Sequence, residues 1–61
     1  MSQINQMEMQ HLRHIIGAQD TAYQKLQSYA QNSQDPQLKA HFEKIAQDAQ
    51  NVKQKLLTFL N

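Results

Sequence analysis

Glu8 and His11 stand at the Glu-x-x-His spacing. On a helix this puts a carboxylate and an imidazole on adjacent turns of one face. Di-iron bundle proteins use that pair when facing helices supply further glutamates. A helical wheel places Glu8 on the buried side of such a helix and His11 at its edge. At the opposing level the second half of the chain offers Leu56, Leu57, Phe59 and Leu60, none of them a ligand. The acids of that second helix are Glu43 and Asp48, plus Asp35 at its cap, and Glu43 points outward on the wheel. No metal-ligand set is therefore expected. The expected role of Glu8 is at a helix start, where a carboxylate caps the backbone and complements the dipole.

The remaining reactive types are equally sparse. His14 falls on a solvated face, and His41 at the edge of an apolar stripe. No Ser or Thr is set beside His and Asp, there is no cysteine, and there is no glycine-rich phosphate loop. The expectation is a protein without catalytic residues and without a cofactor.

Charge and length narrow the classes further. Six basic residues (Arg13, Lys25, Lys39, Lys44, Lys53, Lys55) against five acids leave a net charge of +1. The basic residues are spread along the chain, so no stripe forms for a phosphate backbone, and nucleic acid is not an expected partner. The longest apolar runs are the dipeptides Ile15-Ile16 and Leu56-Leu57, too short to span a membrane. The opening Met1-Ser2-Gln3-Ile4-Asn5-Gln6 lacks the features of a signal peptide, so an intracellular location is expected. Twelve glutamines and four asparagines give an amide-rich chain. Glutamine forms helix well, so these residues suit a neutral outer face; the alternative is a surface made for packing into an assembly.

The elements that position these residues are divided by Ser33-Gln34-Asp35-Pro36. Asp35 is placed to cap a helix, and Pro36 at the first helical position loses no hydrogen bond. Proline also biases Asp35 away from helical geometry, which stops the preceding helix. The chain thus reads as one domain over residues 1–61, with helix 1 at about 5–32, a loop at 33–35 and helix 2 at about 36–60. Asn5 and Glu8 form a capping-box pattern at the first start, with Ser2 as the alternative for an earlier one.

Both helices are amphipathic. Met9, Leu12, Ile16, Tyr23, Leu26 and Ala30 recur in steps of three, four, seven, three and four, with Gln19 dividing the long step. Ile15, Ala22 and Tyr29 broaden that face. Leu38, Phe42, Ile45, Ala49, Val52, Leu56 and Phe59 follow steps of four and three without a break, widened by Ala46 and Leu60. The pattern suits a bundle better than a strict two-stranded coiled coil.

A short loop makes the helices antiparallel. The expected facing pairs are Ala30–Leu38, Leu26–Phe42, Tyr23–Ile45, Gln19–Ala49, Ile16–Val52, Leu12–Leu56 and Met9–Phe59. A chain of 61 residues buries only about 60% of its unfolded surface and needs a staple. Two such hairpins around a two-fold axis would cover each other's apolar sides, so the expected assembly is an isologous homodimer forming a four-helix bundle. Its seam is Leu12, Ile16, Gln19, Tyr23, Leu26, Phe42, Ile45, Ala49, Val52, Leu56 and Phe59. Gln19 is a candidate for fixing register by bonding its symmetry mate or the Tyr23 hydroxyl. Tyr23 and Tyr29 are expected in the core with hydroxyls at the rim. Met1, Met7 and Met9 gather at one end near Phe59 and Leu60, and Gly17 lies on the outer face.

Leu12-Arg13-His14-Ile15-Ile16-Gly17-Ala18, Tyr23, Tyr29-Ala30, Asp35-Pro36-Gln37-Leu38-Lys39 and Phe42 resemble the Coat F family of spore coat proteins. The similarity runs from about Leu12 to Leu60. It implies a ferritin-like helical fold in which a hairpin like this one is half of a four-helix bundle. It also implies a spore coat location, with other coat proteins as further partners. The chain lacks the Gly-aromatic ending that many coat members carry, and the acids and histidines of metal-binding ferritin relatives. Together these features give two expectations of function. The first is a non-enzymatic structural protein that homodimerises. The alternative is a small intracellular adaptor that binds a partner protein through its bundle.

Overall fold

The computed structural model describes residues 4–60. Helix α1 runs Gln6–Asn32 and helix α2 runs Pro36–Leu57, followed by a 3₁₀ turn at Thr58–Leu60. The protein is all-helical, an antiparallel hairpin joined at residues 33–35. The bounds agree with the sequence reading, except that the last turn tightens instead of continuing as α-helix. Such tightening is one way to satisfy the last carbonyls of a helix. Here the Thr58 N–H bonds back to the Leu56 and Lys55 carbonyls, and its hydroxyl donates to the Lys55 carbonyl at 2.6 Å.

The ends form where the local chemistry demands. The Asn5 side chain accepts from the Glu8 N–H at 2.8 Å, and the Asn5 N–H donates to Glu8 Oε1 at 3.1 Å. This reciprocal pair satisfies two backbone donors that a helix start would otherwise leave unpaired. Asn5 is thus the cap; Ser2 lies outside the described residues. At the second start, Asp35 Oδ1 accepts from the Gln37 and Leu38 N–H groups at 2.9 and 3.3 Å. Asp35 itself is extended, as expected of a residue before proline. The C-cap Ser33 is also extended, and its N–H donates to the Ala30 carbonyl. Chain reversal therefore needs no left-handed residue, and none with positive φ occurs among the described residues.

The molecule measures 45 × 16 × 11 Å with a radius of gyration of 14.3 Å. A compact domain of this length would have a radius near 10.5 Å. The thickness of 11 Å is one helix diameter, so the hairpin is a single layer with two broad faces.

The inner line of α1 follows the expected spacing. Met9, Leu12, Ile16, Gln19, Tyr23 and Leu26 are half-buried and Ala30 is buried. These steps of three and four are unbroken, with Gln19 completing them. On α2 the line is rotated from the expected one. The covered residues are Phe42, Ile45, Ala46, Ala49, Gln50, Lys53, Leu56, Leu57 and Leu60, whereas Leu38, Val52 and Phe59 are exposed. Leu38, Val52 and Phe59, expected opposite Ala30, Ile16 and Met9, are thus only partly covered within one hairpin. The physical reason lies in side-chain size. Ala30, Ala46 and Ala49 are the buried residues among those described, and small side chains at a crossing let two backbones approach closely. Turning α2 to present Ala46 beside Ala49 moves Val52 and Phe59 away from α1.

One polar tie crosses this line. Lys53 Nζ meets Asp20 Oδ1 at 2.9 Å, with the two side chains 25% and 41% exposed. At that exposure an ion pair contributes up to about 1 kcal/mol, and it is better read as fixing register than as a source of stability. Removing the cap should matter as much. Asp35→Ala should lower unfolding stability by about 1 kcal/mol at fixed protein concentration, measured by urea titration of the helical signal. Asp35→Asn should recover most of that loss.

Candidate functional site

Five of the large apolar residues left exposed are spaced by whole heptads, together with residues of intermediate cover. On α1 the series is Ile15, Ala22 and Tyr29; on α2 it is Leu38, Ile45, Val52 and Phe59. Tyr29 is 52% exposed, Ile15 48%, Leu38 45%, Phe59 44% and Val52 41%. A seven-residue repeat keeps side chains in nearly constant phase along a helix. Both series therefore run the length of one broad face. Sequence reading placed Tyr29 in the core; instead it sits on this face, with its ring centroid 5.7 Å from that of Phe42. Phe42 thus takes Tyr29 as its ring partner, where sequence reading paired it with Leu26.

Two grooves lie on this face. At the open end, where α1 starts and α2 stops, a groove of about 290 Å³ is lined by Ile4, Glu8, His11, Leu12, Ile15, Leu56 and Phe59. At the loop end a second, of about 420 Å³, lies among Tyr29, Asn32, Ser33, Leu38 and Phe42. Both walls are mainly apolar, and neither groove gathers converging polar groups of the kind that orient a small substrate.

The candidate ligand pair is at the edge of the open-end groove. Glu8 is exposed, contrary to its expected burial, and one of its oxygens is held by the Asn5 backbone. Its capping role is the one the structure displays. His11 is also exposed. Among the described residues, no three of His, Cys, Asp and Glu are grouped as a metal would require. His14 and His41 are both exposed on their helices, and Glu43 is exposed as well.

Other expectations resolve in the same way. Gln19 is half-buried in the α1 line as expected, but the Tyr23 hydroxyl accepts from Gln27 Nε2 at 2.8 Å, not from Gln19. Gln19 and Gln27 both lie four residues from Tyr23 on α1, and Gln27 is the one that bonds it. Met7 is 66% exposed and Met9 half-buried, while Met1 lies outside the described residues. Gly17 is on the outer face, and a Cβ there would meet nothing within 4 Å. Several surface amides bond within their own helix, as in Gln47 to Asn51 at 3.0 Å and Asn32 to the Ser28 carbonyl at 2.8 Å. Among the described residues, no helix is long and apolar enough to cross a membrane.

The fold therefore defines an antiparallel helical hairpin with one apolar face. Compared with known proteins, the chain matches no family model, no curated protein and no solved structure. The geometry of the face thus carries the functional reading. Elemental analysis of purified protein should find well below one equivalent of iron or zinc per two chains. A stoichiometric ion, lost in Glu8→Gln and His11→Ala, would restore the metal reading.

Proposed function

We propose that the protein is a non-enzymatic structural component whose hairpin pairs with a second copy to form a ferritin-like four-helix bundle. The observation that carries this is the continuous apolar face: seven residues in two heptad series, with five of their large side chains more than two-fifths exposed. Area supports a second copy as the occupant. The chain exposes 4869 Å². A folded monomer of this mass would expose about 4,100 Å². The excess, about 800 Å², is what each partner contributes to a standard stable interface. Net charge agrees, since at +1 two copies repel each other little.

The proposed seam of the bundle is Leu12, Ile16, Gln19, Tyr23, Leu26, Phe42, Ile45, Ala49, Val52, Leu56 and Phe59. Some of these close the hairpin, and Val52 and Phe59 face the second copy. A spore coat location is proposed on the Coat F resemblance alone, carried by Leu12–Ala18, the tyrosines and Asp35–Phe42.

Light scattering across a dilution series, with helicity followed in parallel, tests the pairing. The expected outcome is a dimer whose helicity falls as it dissociates. A fully helical monomer at micromolar concentration would overturn the bundle and favour the adaptor reading, with the face free for a different protein. The location is tested separately, by imaging a tagged copy in sporulating cells of an endospore former. Signal should ring the forespore, and diffuse signal would remove the coat assignment while leaving the dimer untouched.

A further inference from the structure

We infer that the two hairpins meet with their loops at opposite ends, so that Glu8 at each open end meets Tyr29 at the loop end of the partner subunit. This rests on the dimer reading above and adds its orientation. Two two-fold arrangements of a hairpin pair keep all neighbouring helices antiparallel. With the loops together, α1 lies beside the partner's α2, and each level of the face meets the same level of its copy. With the loops apart, α1 lies beside the partner's α1, α2 beside the partner's α2, and each end meets the opposite end.

The arrangement decides what the two grooves meet. They occupy opposite ends of one face. With the loops together, each confronts its own copy; with the loops apart, each confronts the other groove. Unfilled apolar volume is costly, because the lining atoms lose their contacts. With the loops apart, Tyr29 and Leu38 of the partner subunit stand over the hollow beside Ile15 and Phe59. Phe59 in turn stands over the hollow beside Leu38 of the partner subunit.

The heptad series favours the loops-apart arrangement. Extending the α1 series back by seven residues from Ile15 reaches Glu8. Loops together sets its carboxylate against the apolar ring of Phe59 of the partner subunit. Loops apart sets Glu8 against Tyr29 of the partner subunit. Glu8 Oε1 is taken by the Asn5 N–H, leaving Oε2 to accept. Among the described residues, the Tyr29 hydroxyl makes no hydrogen bond within its own chain. A phenol donating to a carboxylate satisfies both groups. The central levels also balance in size: Ile15 meets Ala22, and Ile45 meets Val52. One like-charge approach results, because Asp48 falls near the two-fold axis. Each Asp48 already has its own Lys44 at 3.5 Å, and these side chains are 60% and 75% exposed, so solvent screens the approach.

The absence of cysteine makes the orientation directly testable. Positions 18 and 19 flank the midpoint between 15 and 22, so with the loops apart Ala18 lies beside the axis, close to its own copy. A disulfide needs Cα atoms within about 7 Å. Ala18→Cys should form a covalent dimer at least tenfold faster than Thr21→Cys, which sits on the outer face and reports random collision. Helicity of the linked dimer should then survive dilution. Equal rates for the two variants would overturn the orientation. So would rapid linking in a mixture of Ile15→Cys chains with Val52→Cys chains, which only the loops-together dimer permits. In either case a dimeric mass by light scattering shows that the pairing itself stands. A monomeric mass overturns the pairing and the orientation together.

Discussion

The hairpin depends on a contact between small side chains. Ala30, Ala46 and Ala49 are its buried residues among those described, and no large side chain is enclosed. Two helices touch along a line, whereas a core needs a volume. Around that line the larger residues can each be covered on one side only. Leu12, Ile16, Tyr23, Leu26 and Leu56 are accordingly half-buried. The close crossing also sets the phase of α2, and that phase turns Val52 and Phe59 outward. The exposed face is thus a direct consequence of how tightly the two helices meet.

The same constraint explains the division of polar residues. The tie between Asp20 and Lys53 spans the two helices, where a tilt or slide of one against the other would separate the charges. The glutamines and asparagines lie largely on the outer surface, where they bond along their own helices. Such a surface is wetted without carrying much charge. It neither competes with the apolar face for partners nor repels another copy.

Much of this was legible in the sequence. Asn5 with Glu8, and Asp35 with Pro36, mark helix starts through local hydrogen bonds, and local chemistry survives whatever the rest of the chain does. The α1 line was legible too, including Gln19 as the member that divides its long step. The phase of α2 was not. Ile45, Ala46, Ala49 and Val52 all lie within one apolar arc, and hydropathy ranks Ile and Val above Ala. Close packing reverses that ranking, because the residue that fits at a crossing is the smallest one. Tyr29 was misplaced for a related reason: a wide arc does not reveal which of its edges meets the other helix of the chain. The open-end groove was partly legible, since Glu8, Leu56 and Phe59 were placed at one level, but its hollow depends on the angle between the helices.

The use made of the acids bears on what kind of protein this is. Glu8 closes a capping box, Asp35 caps α2, Asp20 holds Lys53, and Asp48 sits beside Lys44. Their placement fixes where helices begin and how they are registered. Four of the five acids are committed to geometry, and one long apolar face is left uncovered; these two observations are the physical support for the structural role proposed above.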